Sequence, residues 1–448
     1  MLDKLVGAMQ VPDIRKRIQF VLMMFAVYVV ALHVPAAGVK HEAIAKLVGT
    51  GVFSALDIFS GGALRKFSVI ALGVMPYINA SIIMQLLTVA IPQLQAMQKE
   101  GDSGRKQINK ITRYVTVGLA FLQAFGLYQL LSSNGAIAKS IPNLLIVVVT
   151  LSAGTMFLMW LGEQMTEKGI GNGVSLLIFV GIMVSLPGQV IQTAQLVAGD
   201  PTKIIGVVAT LALFLASIVG VIYMTQGVRK IPVHHMKRIV GTRMSQAGTS
   251  FLPLKVNTAG VIPVIFAMSI QLFPQTVAQF FPNIEWLQQA TTWLQPGGSI
   301  WASLIFATLV LFFTYFFVAM QYDTHDMADN LKKYGSIIPG VRPGKPTAEY
   351  LDKVLSRITL AGAVFLAVIS LIQYWAPTWT GITTFSLVGG TSLLIVVGVA
   401  LETMTAIEAQ MAMRNYEGFI RTSSGPPQGG ANMATGGARS YAGARKAA

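Results

Sequence analysis

Gly73-Val74-Met75-Pro76-Tyr77-Ile78 and Gly260-Val261-Ile262-Pro263-Val264-Ile265 share the pattern Gly-Val-x-Pro at a distance of 187 residues, and each leads into a Ser-Ile…Gln-Leu run, Ser81 to Leu86 and Ser269 to Leu272. Both copies lie inside long apolar stretches. Gly loosens a helix interior and Pro removes one of its hydrogen bonds, and lipid has no water to replace that bond. Interrupted helices in a membrane therefore belong beside a protein-lined cavity. Shifting the first half by 187 residues lays Ile18 to Leu32 near Ile205, and Tyr114 to Leu131 onto Trp301 to Val318. Three consecutive spans stay in register, which marks an internal duplication. Interrupted segments at matching places in two halves point to a transport pathway.

Composition agrees with a membrane location. Of 448 residues, 53% are hydrophobic and only 11% charged, and the mean hydropathy is +0.62, far too apolar for a soluble globule. Helical spans need roughly 17 to 25 predominantly apolar residues. Ten stretches qualify: Ile18 to Val34, Phe67 to Ile91, Tyr114 to Leu131, Leu144 to Leu161, Val174 to Val197, Ile204 to Tyr223, Ala259 to Phe281, Ile300 to Met320, Ile358 to Ala376 and Phe385 to Ile407. Arg15-Lys16-Arg17 before the first of them resembles the start of a cleaved signal. Losing that span would break the register of the halves, so it reads as an uncleaved first span.

With the N-terminus placed inside and the spans alternating, 27 of the 33 Lys and Arg fall on the inner side. This bias predicts cytoplasmic N- and C-termini. Spans 1 to 5 then start inside and spans 6 to 10 start outside, so the expected fold is an all-α membrane protein of ten transmembrane helices in two inverted five-helix halves. The chain divides into an N-terminal segment 1–17, a first half 18–200, a second half 201–410 and a tail 411–448. Beyond Arg421 that tail is rich in Gly, Ala, Ser and Pro, which predicts flexibility. Cysteine is absent, so disulfides and thiolate metal sites are excluded.

The span centres carry no Lys, Arg or Asp; Glu163, Glu402 and Glu408 sit near inner ends and His33 near an outer end. A charge at a helix centre costs roughly 2.5 to 3.5 kcal/mol on insertion scales and is normally kept for ion or proton handling. Ion-coupled transport and proton pumping are disfavoured. Walls of aliphatic and amide side chains suit chemically varied cargo.

Several pieces carry the candidate chemistry. The segment 56–67, Leu56-Asp57-Ile58-Phe59-Ser60-Gly61-Gly62-Ala63-Leu64-Arg65-Lys66-Phe67, is too short to cross and reads either as a re-entrant, plug-like half-helix or as a helix on the outer surface. Val74 and Ile78 are four apart and share a helix face, as do Val174 and Ile178 after Gly171-Asn172-Gly173. Alone, such stripes are ordinary core packing. Beside interrupted helices they fit a stiff β-branched collar that blocks ions by dewetting.

Asn79, Ser81, Gln85 and Thr88 in span 2, and Asn257, Thr258 and Gln271 around span 7, place polar groups on the two matched segments. Interhelical bonds of this kind contribute roughly 0.6 to 2 kcal/mol each, enough to hold a seam that can still part. Two long connections are basic: 226–256 carries Arg229, Lys230, Lys237, Arg238, Arg243 and Lys255, and 322–357 carries Lys332, Lys333, Arg342, Lys345, Lys353 and Arg357. Their length exceeds what topology signalling needs. They suit an acidic partner, phosphate-rich RNA or anionic lipid. His234-His235, with His41 or His325, has no metal-ligand spacing. No Walker-type Gly-rich loop with Lys-Ser/Thr is present.

From about Arg15 to Gln410 the chain resembles the SecY family, the central subunits of bacterial Sec protein-translocation channels. The resemblance rests on Phe59-Ser60-Gly61-Gly62-Ala63, Met75-Pro76-Tyr77-Ile78 with Ala80-Ser81-Ile82-Ile83, Trp160-Leu161-Gly162-Glu163-Gln164 and Gly169-Ile170-Gly171-Asn172-Gly173. It continues in Pro253-Leu254-Lys255-Val256-Asn257, Gly260-Val261-Ile262-Pro263, Pro339-Gly340-Val341-Arg342-Pro343-Gly344 and Gly389-Gly390-Thr391-Ser392-Leu393-Leu394-Ile395.

The resemblance implies an hourglass pore in a bacterial plasma membrane that passes unfolded polypeptides and releases signal sequences and membrane helices sideways. It implies a pore ring of Val74, Ile78, Val174, Ile178, Ile265 and Ile395. Members often carry Ile where Val74 and Val174 stand, which makes this collar slightly looser. It also implies a plug around 56–67 and a lateral gate between spans 2 and 7. The implied partners are SecE and SecG subunits, the SecA motor ATPase, the ribosome with its nascent chain, and signal-sequence-bearing polypeptides, with Arg342 the foremost docking residue. Val228-Arg229-Lys230 stands where many members have Gln-Arg-Arg, and His234-His235 departs too. No cofactor, metal or catalytic residue is implied. The rival readings are an inverted-repeat secondary transporter of a small solute, which calls for buried ion-coordinating groups, and an intramembrane enzyme, which calls for a paired-acid, Ser/His or His-rich site.

Overall fold

The computed structural model describes residues 9–37, 61–133, 135–235, 239–240, 243–244, 249–280, 284–294, 299–382 and 390–423. The first half holds α1 (Pro12–His33), α2 (Met75–Ala90), α3 (Pro92–Lys99), α4 (Asp102–Ser133), α5 (Ile141–Lys168) and α6 (Gly173–Gly199). The second holds α7 (Ile204–Gln226), α8 (Ile262–Phe280), α9 (Glu285–Leu294), α10 (Ile300–Gln321), α11 (Thr324–Lys333), α12 (Lys345–Thr380) and α13 (Thr391–Ser423). Among the described residues, eight helices are long and apolar enough to cross a membrane. A ninth span is α2 with α3, bent by 99° where Pro92 cannot continue the ladder. α8 falls on the remaining expected stretch, with the shorter apolar run Ile262–Gln271. The chain is a multi-pass membrane protein.

The duplication is visible in the packing. α2 packs on α4, α4 on α5 and α5 on α6; in the second half α8 packs on α10, α10 on α12 and α12 on α13. The halves meet where α8 lies on α4 and α13 lies on α6.

Two expectations need correction. Span 2 begins as a helix only at Met75, not at Phe67, and the described part of the plug-like segment, 61–67, is a run of turns and not a half-helix. Backbone geometry explains both, because Gly61, Gly62, Phe67 and Gly73 all take positive φ, which an α-helix excludes. Leu56, Phe59 and Ser60 lie outside the described residues, as does the tail from 424. Pro187, by contrast, does not end its span, since α6 runs through it to Gly199.

The long basic connections are not plain loops. β1 (Val228–His235) pairs antiparallel with β4 (Thr249–Lys255) from Val228↔Lys255 to His234↔Thr249, and on its other edge with β5 (Ser336–Ile337). A two-residue pair, β2 (Ile239–Val240) with β3 (Arg243–Met244), extends the hairpin. Ile231, Val233 and Leu254 are buried with Ile338, Leu351 and Leu355, so connections 226–256 and 322–357 share a small core of their own.

Close backbone contacts fix the first half. A Cβ on Gly154 of α5 would come 2.0 Å from the Val69 carbonyl oxygen, and one on Gly173 of α6 would come 2.0 Å from that of Gly162. Such contacts leave no room for a methyl group. Gly154→Ala is expected to lose about 1 to 3 kcal/mol through overpacking, seen as a lower melting temperature of the detergent-purified protein. An unchanged melting temperature would show that residues 69 and 70 do not lie on α5.

Candidate functional site

The six aliphatic residues of the expected collar come together. Val74, Ile178 and Ile395 are buried in one hydrophobic cluster, and Ile78, Val174 and Ile265 pack against it. Exposures of 5%, 6% and 2% for the first three leave the centre dry.

Each member stands in, or at the edge of, the first turns of its helix, and each helix start has a local cause. Val74 is the N-cap of α2 and Ile78 N–H donates to its carbonyl at 3.0 Å. Gly73 turns the chain with φ +59°, and Pro76 occupies a position whose N–H would have no partner in the helix. The second copy repeats this with Gly260 at φ +64°, Ile262 as the first helical residue and Ile265 N–H bonded to the Val261 carbonyl. The repeated tetrapeptide is thus a helix start, not a kink within a helix. α6 is capped differently: Asn172 Oδ1 accepts from Val174 N–H at 3.0 Å and Ser175 N–H at 3.3 Å.

Two contributors were missed at sequence level. Val261, which the 187-residue shift makes the counterpart of Val74, packs against the same cluster, and a Cβ on Gly398 would come 2.9 Å from its Cγ2. The repeat itself carried that signal. Gln373 of α12 reaches across to α13, where its Oε1 accepts from both the N–H and the hydroxyl of Thr391 at 3.1 Å. Gly390, at φ +89°, has no side chain with which to cap, and a Cβ there would come 2.4 Å from Gln373. The cap of α13 is therefore supplied by another helix, which no local motif announces.

Of the plug residues, Gly61, Gly62, Leu64 and Phe67 are described. Ala63 belongs to the collar's cluster, while Leu64 and Phe67 are buried with Ala124, Leu127 and Leu131 of α4. The segment is stitched to the end of α1: Ala36 N–H donates to the Phe67 carbonyl at 2.8 Å and Val69 N–H to the Val34 carbonyl at 3.0 Å. A Cβ on Gly61 would lie 2.7 Å from the Gly181 carbonyl oxygen of α6.

The polar residues of the expected seam are not brought together as bonding partners. Gln85 donates to Ser81 and Thr88 to the Met84 carbonyl, both within α2. Gln271 Nε2 donates away from α2, to the carbonyls of Leu294 at 2.6 Å and Ala302 at 3.4 Å. The Oδ1 atoms of Asn79 and Asn257 are buried without a partner, and Thr258 is half-buried in the turn before α8. Among the described residues no side-chain hydrogen bond joins α2 to α8. Ile82 of α2 belongs to the same hydrophobic cluster as Val264, Ala267 and Met268 of α8, and α4 packs along both helices.

On the basic side, Arg229, Lys230, Lys255, Arg342 and Lys345 are exposed. Lys237 and Arg238 lie outside the described residues, and of Arg243 only the strand is described. The departing His235 has a place: one ring nitrogen is 2.7 Å from Ser336 Oγ and the other 2.7 Å from Ser250 Oγ, bracing β1 between β5 and β4. Arg113 of α4 pairs with Glu163 of α5 at 2.6 Å. Among the described residues no group of three His, Cys, Asp or Glu could hold a metal ion.

A SecY family profile matches residues 68–404. The chain belongs to the SecY family. The protein translocase subunit SecY of Staphylococcus aureus (strain NCTC 8325 / PS 47) is 42% identical over 432 residues, covering 94% of this chain and 99% of that one. Its counterpart in Staphylococcus epidermidis (strain ATCC 12228 / FDA PCI 1200) is 43% identical over 420 residues, 91% of this chain and 96% of that one. The fold is similar to that of a protein-conducting channel, with TM-score 0.65, 19% identity and coverage of 89% and 93%. It is also similar to Sec61 in the canine ribosome-channel complex from the endoplasmic reticulum, with TM-score 0.60, 18% identity and coverage of 89% and 93%. SecY family membership and the eight or nine spans among the described residues agree with the all-α membrane architecture read from the sequence.

Losing a helix cap costs about 0.5 to 2 kcal/mol. Gln373→Leu is expected to speed amide hydrogen exchange in the first turn of α13 about tenfold, the equivalent of roughly 1.4 kcal/mol. Unchanged exchange there would remove Gln373 as the cap.

Proposed function

We propose that this chain is the gated polypeptide channel of a bacterial protein translocase, with both termini cytoplasmic in the plasma membrane. The carrying observation is the convergence of four helix starts on one dry aliphatic cluster. Six β-branched side chains from α2, α6, α8 and α13 form the collar through which an extended chain passes. Aliphatic walls make no hydrogen bond to cargo, so the channel tolerates any side chain, and their stiffness closes it again behind the substrate.

The turns at 61–67 lie against the collar on the side of the α1 exit and form the described part of the plug. Its stitching to residues 34–36 favours displacement about a fixed root. The seam between α2 and α8 is the lateral exit for signal sequences and membrane helices. A shared apolar cluster, with no side-chain hydrogen bond between the two helices among the described residues, supports this role, because lipid tails replace apolar packing at little cost. A buried amide left unpaired costs about 1 to 3 kcal/mol, so the orphaned Asn79 and Asn257 oxygens favour a parted seam that offers them donors.

The channel performs no bond chemistry of its own. The sheet that unites the two basic connections supplies the docking surface, with Arg229, Lys230, Lys255, Arg342 and Lys345 facing the ribosome or the SecA motor. SecE and SecG are the small membrane partners, and anionic lipids complement the basic inner side. Family membership counts against the rival transporter of a small solute.

Crosslinking tests the pathway. A stalled secretory chain is expected to form adducts with photoreactive probes at Ile78 and Ile265 and none with a probe at lipid-facing Val219; absence of adducts at the first two positions would defeat the pore assignment. Separately, Ile395→Asn removes aliphatic contact worth on the order of 1.5 to 3 kcal/mol and wets the collar. It is expected to raise the resting ion conductance of reconstituted channels, and an unaltered conductance would strike Ile395 from the ring.

A further inference from the structure

α9 stands between the outer ends of spans 7 and 8 and reads Glu285-Trp286-Leu287-Gln288-Gln289-Ala290-Thr291-Thr292-Trp293-Leu294. Its apolar residues fall at i, i+1, i+4, i+7 and i+8, which places them on one helix face. In a water-soluble protein that face turns inward. Here Trp286 and Trp293 are 69% and 70% exposed. A helix of ten residues is marginal in water by itself, so this one needs a surface to lie on. Trp301, at the start of α10, and Trp379, near the outer end of α12, are also exposed. Four of the chain's six tryptophans are thus exposed on the outer side of the second half.

The chemistry of that face selects its occupant. α9 carries one acid and no base, so neither an acidic partner nor anionic lipid is favoured by charge. Indole rings combine an apolar body with an N–H donor, which suits the boundary between headgroups and acyl chains. We propose that α9 is an interfacial helix that inserts its Trp286–Trp293 face into the outer leaflet, and that Gln271 ties α8 to this anchor.

The tie is geometric. Gln271 is 3% exposed, and its Nε2 donates at 2.6 Å to the carbonyl of Leu294, the last residue of α9. The same nitrogen lies 3.4 Å from the carbonyl of Ala302 in the first turn of α10. A helix C-terminus has carbonyls that no residue of its own helix can satisfy, so this bond replaces one that would otherwise need water. Movement of α8 away from α2 therefore drags α9 and its indoles through the outer leaflet, and the leaflet resists. This consequence rests on the proposed role of α8 at the lateral exit; the membrane contact does not.

The chain has no cysteine, so single cysteines can be introduced into the full complex without other changes. Bimane placed at Trp286→Cys or Trp293→Cys, in phosphatidylcholine vesicles carrying a headgroup nitroxide lipid, is expected to be quenched by the lipid and shielded from aqueous iodide. Bimane at Gln288→Cys, on the opposite, polar face, is expected to show the reverse. Equal iodide quenching at 293 and 288 would overturn the membrane contact, and so would shielding from both quenchers, the sign of a protein cover.

For the tie, the pair Trp286→Ser with Trp293→Ser is expected to raise export of a reporter with a weakened signal sequence about fivefold or more. The Phe pair, which keeps the face apolar, is expected to behave as the parent. If Asn257→Ala at the seam alters export and the Ser pair does not, the tie is wrong. If neither alters it, the lateral-exit reading has failed and the tie falls with it, while the quenching result still decides the membrane contact.

Discussion

A helix that starts inside a membrane protein exposes N–H groups that no water can reach, and the centre of this molecule depends on how four helices meet that constraint. α2 and α8 remove one donor with Pro76 and Pro263 and turn sharply before it on Gly73 and Gly260. α6 fills its donors with the amide of Asn172, and α13 borrows that of Gln373 from α12. Because the polar obligations are met behind the helix starts, the side chains in front of them can be purely aliphatic. Val74, Ile78, Val174, Ile178, Ile265 and Ile395 form one dry cluster for that reason.

Much of this was legible in the chain. Ten apolar stretches, their charge bias and the 187-residue repeat predicted the membrane class and the duplication. The Gly-Val-x-Pro repeat located two of the four helix starts, although it reads equally as a kink until backbone angles separate the two cases. Asn172 between two glycines is a local cap signal. Gln373 and Thr391 are eighteen residues apart on different helices, and nothing in composition or period links them. The amides of the seam were legible as residues but not as partners, since Gln271 turns toward α9 and the apolar cluster that holds Ile82 with Val264 and Ala267 has no period of its own in the sequence.

The basic connections show the opposite balance. Their charge was plain, yet short alternating strands within them were hidden by Lys, Arg, His and Pro. Burial of Ile231 and Val233 with Leu351 and Leu355 organises the sheet, and that core exists only once connections whose buried members lie more than 80 residues apart in sequence are folded together. His235 fits between Ser336 and Ser250 because each hydroxyl can accept from, or donate to, the ring nitrogen it faces.

Four helix N-termini gathered around one narrow point have an electrostatic consequence. Each helix carries roughly half a positive charge at its start, so the dipoles of α2, α6, α8 and α13 superimpose at the collar. While a polypeptide threads the constriction and the aliphatic seal is imperfect, this positive field opposes stray cations and hydrated protons, as half-helix dipoles do in water pores. In the channel proposed above, the seal is thus electrostatic at the backbone as well as steric at the side chains.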